Sequence, residues 1–270
     1  MNLPATRKAT PYIVDETEDF AVVFKPPRMH CAPVTLSAGD GDTLLNWYAT
    51  TFPQVMELHG RKKGEGGLLH RLDFETNGLV LFAKNQKSLD RLLVQQAEGN
   101  FAKEYSAICR KNTSDETAAR SFPPSPLNFH GQESFAIESF FRPFGPGRKQ
   151  VRPVVGTGGT ETAKDQGGYY RTEVLGVSGK GPCEGDSRGY FRFIVKLKRG
   201  FRHQVRCHLA WIGYPILNDP LYGTHGNLRD EEATKGFLAL RAGGLSFYDP
   251  GNGRPLDYRV VRLELPANSM

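Results

Sequence analysis

The chain has 270 residues, 39% hydrophobic and 24% charged, enough to bury a sizeable core and typical of a soluble globular protein. No apolar run approaches the roughly 20 residues of a membrane span, and residues 1–8 lack the apolar stretch of a secretion signal. Cys31, Cys109, Cys183 and Cys207 form no CxxC pair, so zinc-finger and disulfide-scaffold classes find no support and reduced thiols in a cytoplasm are expected, while the formal net charge of +6 leans toward a polyanionic partner.

In chain order, residues 19–25 read as a strand stopped by Pro26-Pro27. Thr43 caps a short predicted helix through Leu44, Leu45 and Trp47, ended near Pro53. Residues 54–66, rich in Lys, Arg and Gly, read as a loop. Phe74 to Asn77 has the small and polar residues of a loop feeding a buried strand from Gly78 to Ala83. Leu89, Leu92 and Leu93 share one face of a predicted helix that ends around Gly99. Tyr105 to Cys109 is a short strand. Regularity then drops between about 111 and 189, and the piece 142–161 looks like an exposed basic loop. Tyr190 to Lys198 is a strand, Gln204 to Ile212 a helix stopped by Gly213 and Pro215, and residues 238–247 and 259–265 are strand-like. Strands and helices mix without a βαβ phosphate-loop pattern, so the fold class is α+β.

Three clusters could carry chemistry. The first is His70-Arg71-Leu72-Asp73, set between two apolar runs, with Arg71–Asp73 as a possible local ion pair. The second is residues 199–210, where Arg199, Arg202 and Arg206 surround a helix start whose free N–H groups favour an anion. His203 and His208 are five residues apart and do not share a helical face, which argues against a paired metal site. The third is residues 101–107, where strand alternation puts Lys103 and Tyr105 on one face. A tyrosine there could stack on a base or move a proton. No Walker loop or GxSxG elbow is present, and the glycine-rich residues 156–159 are not followed by a helix pattern.

Together the three clusters resemble the RluA family of RNA pseudouridine synthases. His70-Arg71-Leu72-Asp73 with Thr76, Gly78-Leu79 and Ala83-Lys84 is similar to the family's active-site motif. Lys103-x-Tyr105-x-Ala107 is similar to its second motif. Gly200 with His203-Gln204-Val205-Arg206-x-His208-Leu209-Ala210, followed by residues 213–223, resembles its third. Residues 19–26 resemble its entry strand and Lys-Pro turn, and the likeness runs over roughly 12–265 in family order. The chain departs at Gly200-Phe201-Arg202, where the family usually has Gly-Arg-Thr, at Asn77 for Ser, and at Leu240-Arg241-Ala242 for Leu-His-Ala.

The resemblance implies a single catalytic domain over 1–270 with no N-terminal S4 module. Its expected architecture is a central mixed, largely antiparallel sheet, with flanking helices and loops around a basic cleft. The implied reaction isomerises a uridine within ribosomal or transfer RNA to pseudouridine, without cofactor or metal. Asp73 would be the catalytic carboxylate, Tyr105 the residue stacking on the base and assisting proton removal, and Arg206 the partner of Asp73. Arg71, His70, Arg202, His203, Gln204 and Lys103 would bind RNA. A monomer in the cytoplasm is expected, away from membranes. Two rivals are an RNA-binding protein of the same fold with impaired catalysis, and a carbohydrate-acting hydrolase using Asp73 and Glu75.

Overall fold

The computed structural model describes residues 10–33, 42–112, 122–125, 127, 133–155, 168–180, 189–223 and 236–263. The first elements in chain order are strands β1 (Tyr12–Glu16) and β2 (Phe20–Lys25), helix α1 (Leu44–Ala49), β3 (Asn77–Ala83), helix α2 (Gln86–Glu98) and β4 (Ala102–Arg110). There follow β5 (Phe135–Phe144), β6 (Gln150–Val154), β7 (Tyr170–Lys180), β8 (Tyr190–Leu197), helix α3 (Gln204–Trp211), β9 (Leu240–Tyr248) and β10 (Pro255–Arg259). The chain divides into two compact units, residues 1–101 with 244–260, and residues 102–243 with 261–270. This is the expected α+β class.

In the first unit β2 pairs antiparallel with both β1 and β3, and β10 pairs antiparallel with β9. Every residue of β3 is buried, in keeping with its apolar run from Gly78 to Ala83. Helix α2 begins at Asn85, whose side chain accepts from Ser88 N at 2.9 Å, and stops at Gly99 in the left-handed conformation (φ 76°). Between these caps Leu89 and Leu92 pack with Phe20, Val22, Leu79, Leu81, Phe101, Leu245 and Phe247. Each such side chain contributes about 1.5–3 kcal/mol by leaving water. Thr43 caps α1 by accepting from Asn46 N, as its sequence position predicts. Strand β1 was not legible in the sequence. Its residues are mostly exposed and it forms an edge, so little apolar alternation marks it.

In the second unit the strand order is β4-β8-β7-β5-β6, and these ladders are antiparallel. The expectation of an irregular stretch from 111 to 189 is corrected here, since β5, β6 and β7 lie within it. The expected basic loop at 142–161 is, up to residue 155, the tip and arms of a hairpin in which Arg142 faces Arg152. The glycine-rich residues 156–159 and Cys183 lie outside the described residues. The reason for the miss is chemical. The inward positions of β5 run Ile137, Ser139, Phe141, and Ser139 and Thr172 of β7 are fully buried polar residues. They are satisfied by His208 of α3, whose ring nitrogens lie 3.0 Å from Ser139 Oγ and 2.8 Å from Thr172 Oγ1. Burial lowers His208 to about 3, so it stays neutral. The strand expected over 259–265 is displaced. β10 ends at Arg259, residues 260–263 are not strand, and 264–265 lie outside the described residues.

Candidate active site

The segment carrying Asp73 is shaped in the first unit by its pairing with β3. Ala83 N donates to Gly67 O at 2.8 Å and Leu69 N to Leu81 O at 3.0 Å. Gly67 allows this approach, because a Cβ there would lie 2.3 Å from Ala83 O. His70 continues the contact with its ring, accepting from Leu81 N through Nε2 at 3.3 Å. It is buried against Phe101, and its ring nitrogen does the work of a backbone carbonyl. A turn closed by Thr76 N donating to Asp73 O at 3.1 Å then returns the chain to β3.

Residues 25–31 grip both sides of Asp73. Leu72 N donates to Cys31 Sγ at 3.2 Å, and that thiol donates back to Leu72 O at 3.5 Å. Burial pushes the Cys31 thiol upward, so it remains protonated. Lys25 is fully buried at the end of β2, and its ammonium donates to Pro26 O and Met29 O at 2.8 Å and to Phe74 O at 3.3 Å. Met29 N adds a second donor to Phe74 O, also at 3.3 Å. Arg28 Nε lies 3.6 Å from Glu75 Oε2. Residues 72, 74 and 75 are thus held individually, with half-buried Asp73 between them. Arg71, expected beside Asp73 or RNA, is exposed and pairs with Glu65 at 3.2 Å.

The second unit holds the other two motifs. Lys103 and Tyr105 are buried on one face of β4. A Cβ at Gly200 would lie 2.9 Å from Lys103 Nζ, so glycine there leaves room for the ammonium. Gln204 is buried, accepts from Phe201 N at 2.9 Å, and donates to Arg171 O and Thr172 Oγ1 at 3.0 Å. Its amide is therefore occupied inside the unit. His203 sits at φ 57° before the helix, with Nδ1 3.2 Å from the Tyr222 hydroxyl. Phe201 stacks on Phe141 with ring centres 5.1 Å apart and 3° between planes, and lies 5.0 Å from Tyr170. Arg202 donates to the carbonyls of Arg148 at 2.5 Å and Gln150 at 3.3 Å, fastening the β5–β6 hairpin. The departure at 201–202 is thus an aromatic anchor followed by a hairpin tie.

Arg206 is buried and forms a two-pronged pair with Asp219, through Nε to Oδ2 and a terminal nitrogen to Oδ1, both at 2.8 Å. Burial alone would raise Asp219, but Arg206 and the backbone donors of Leu221 and Tyr222 outweigh it and lower it. Asp219 is the partner that sequence reasoning did not assign. Its signal was an acidic residue within an otherwise apolar and turn-forming stretch, Ile216-Leu217-Asn218-Asp219-Pro220-Leu221. Lys25 and Cys31 were missed as loop holders, because a lysine at the end of an apolar strand is ordinarily exposed. Asp73 belongs to the first unit, and Tyr105 and Arg206 belong to the second. Among the described residues no three of His, Cys, Asp and Glu gather as a metal site requires. No described helix is long and apolar enough to cross a membrane.

Known proteins match this arrangement along most of the chain. The family model described as RNA pseudouridylate synthase matches residues 19–211. The ribosomal large subunit pseudouridine synthase D of Haemophilus ducreyi is 27% identical over 259 residues, covering 95% of this chain and 63% of that protein. An uncharacterized RNA pseudouridine synthase of Mycoplasma pneumoniae is 31% identical over 196 residues, covering 72% of this chain and 51% of that protein. The chain therefore spans roughly half to two thirds of the length of these relatives. The fold of human RNA pseudouridylate synthase domain containing 1 superposes with a TM-score of 0.64 at 21% identity, covering 98% of this chain and 88% of that one. With the matched region taking in His70 to Asp73, Lys103 to Tyr105 and Gly200 to Arg206, the chain belongs to the RNA pseudouridylate synthase family, in its RluA branch.

Proposed function

We propose that the chain converts uridine within structured RNA to pseudouridine. What supports this most is that a single family match, residues 19–211, contains all three chemical segments in order. Relatives named for the large ribosomal subunit make ribosomal RNA the first substrate to test, with transfer RNA second.

The reaction breaks the bond from C1′ to N1, turns the uracil, and forms a bond from C1′ to C5. Positive charge develops on the sugar as the base departs, and the Asp73 carboxylate stabilises or captures it. Tyr105 stacks on the detached ring and assists departure of the C5 proton, while N1 ends up protonated. Arg206, paired with Asp219, would serve the reaction by holding the third motif in shape. Arg71, Arg202, His203 and Lys103 would meet the RNA, whereas His70 and Gln204 would act by holding the first and third motifs in shape. The target base must leave its stack, at least cost in a loop or single strand.

Asp73→Asn removes the charge and keeps the shape. It is expected to abolish pseudouridine formation in transcribed total RNA, detected by carbodiimide modification, while the melting temperature and RNA affinity stay near those of the parent. Residual formation by the purified variant above that of a no-protein control sinks the assignment. Release of free uracil or sugar, or a comparable loss in Glu75→Gln, would favour the hydrolase instead. RNA binding by the parent without any pseudouridine formation would favour the impaired binding protein.

A further inference from the structure

Phe74 follows the proposed catalytic carboxylate directly, yet its side chain is 40% exposed. The loop that carries it is fixed along its backbone. The Phe74 carbonyl is held by Lys25 and Met29, and nearby Leu72 and Glu75 are held by Cys31 and Arg28. The exposed His30 ring lies beside it, with centres 4.7 Å apart and 39° between planes. Met29 N to Phe74 O and the pairing of His30 with Thr43 hold the backbones that carry both rings. Arg28 and Arg71, with side chains 58% and 51% exposed, lie two residues before His30 and three before Phe74 in sequence.

From these observations we propose that His30 and Phe74 form a stacking subsite for an unpaired RNA base next to the target uridine, with Arg28 and Arg71 at the adjoining phosphates. The inference rests on the RNA-modifying reading above and deepens it. A flat aromatic face accepts any base, and guanidinium groups beside it neutralise the backbone that carries that base. The ring's place directly after Asp73 suits a nucleotide adjacent to the reacting one. A base held there would keep its displaced neighbour from restacking, so the subsite would help to select unpaired targets.

The test uses the full chain and a fluorescein-labelled oligouridylate, with affinity read by anisotropy across a salt series. Phe74→Ala is expected to weaken binding about tenfold, the loss of one base stack. The slope of log affinity against log salt should not change, because no charge is removed. Phe74→Tyr should bind as the parent does, and Phe74→Leu should resemble Phe74→Ala. Arg28→Gln and Arg71→Gln should each reduce the salt slope by about 0.7. His30→Ala leaves every backbone contact of the Asp73 turn in place, and is expected to show the same kind of loss should Phe74→Ala disturb folding.

Parental affinity in both Phe74→Ala and His30→Ala overturns the subsite, as does full affinity in Phe74→Leu. The wider reading is judged separately, by pseudouridine formation in the parent. If the parent modifies RNA and the ring variants bind normally, only the subsite fails. If the parent makes no pseudouridine while the ring variants lose affinity, the enzyme reading fails and the stacking surface stands.

Discussion

Lys25 is the residue whose chemistry bears most on Asp73 without being near the motif in sequence. Its ammonium has three protons and three carbonyl partners, those of Pro26, Met29 and Phe74. Burial lowers its pKa to about 8, although Cys31, Asp73 and Glu75 pull upward. A neutral amine has two protons, so one carbonyl must be released on deprotonation, and the Phe74 bond is the longest. The linkage sign follows from the depressed value. Below about 8 the folded chain carries the full cost of a buried charge; between about 8 and 10.5 the unfolded chain binds more protons and stability rises with pH. Relative to Lys25→Met, the parent should therefore gain roughly 3 kcal/mol in urea unfolding across that window. Its activity should meanwhile fall above about pH 8, as the turn at Asp73 loosens. A difference between the two proteins that does not vary with pH would show that Lys25 is not titrating in the fold.

At the scale of elements, helix α3 is held by polar contacts as much as by its apolar side. Gln204 ties its first turn to β7, His208 bridges β5 and β7, and Arg206 grips Asp219 in the stretch that follows. A buried pair of this kind stabilises little net, but removing one member is costly because the other charge stays behind. Asp219→Asn should therefore lower the unfolding free energy by about 3–5 kcal/mol, measured with urea at neutral pH. Asp219 is held below its usual range, so acid should erode the parent's advantage as the pH falls through that lowered value. Arg206→Met with Asp219→Leu should recover much of the stability and none of the activity. Recovery of both together would assign the pair to folding alone.

At the scale of the whole molecule, legibility in the sequence followed polarity. β3 was readable because it is apolar from Gly78 to Ala83, and α2 because Asn85 and Gly99 bracket a leucine face. The motif segments were readable because His70, Asp73, Tyr105 and Arg206 stand in the order of the family the chain resembles. β5 and β7 were hidden because their buried Ser139 and Thr172 make sense only once His208 stands opposite, and that residue is distant in sequence. Asp219 as partner of Arg206, and the grip of residues 25–31 on the Asp73 turn, were hidden for the same reason. Pairings distant in sequence leave no periodic trace.

The net charge of +6 was legible from the start, and it carries a further expected outcome. If phosphates are met by Arg28, Arg71, Lys103, Arg202 and their neighbours, each contact releases condensed counterions. Log affinity should then fall linearly with log salt, with a slope of about −0.7 per contact for single-stranded RNA. Five contacts would give a slope near −3.5, and raising salt from 50 to 200 mM would weaken binding on the order of a hundredfold. The measurement is an anisotropy titration with oligouridylate at four salt concentrations. Asp73→Asn removes a negative charge and should bind no more weakly at any of them. A slope near zero would mean that stacking alone holds the RNA and that the basic residues serve only solubility.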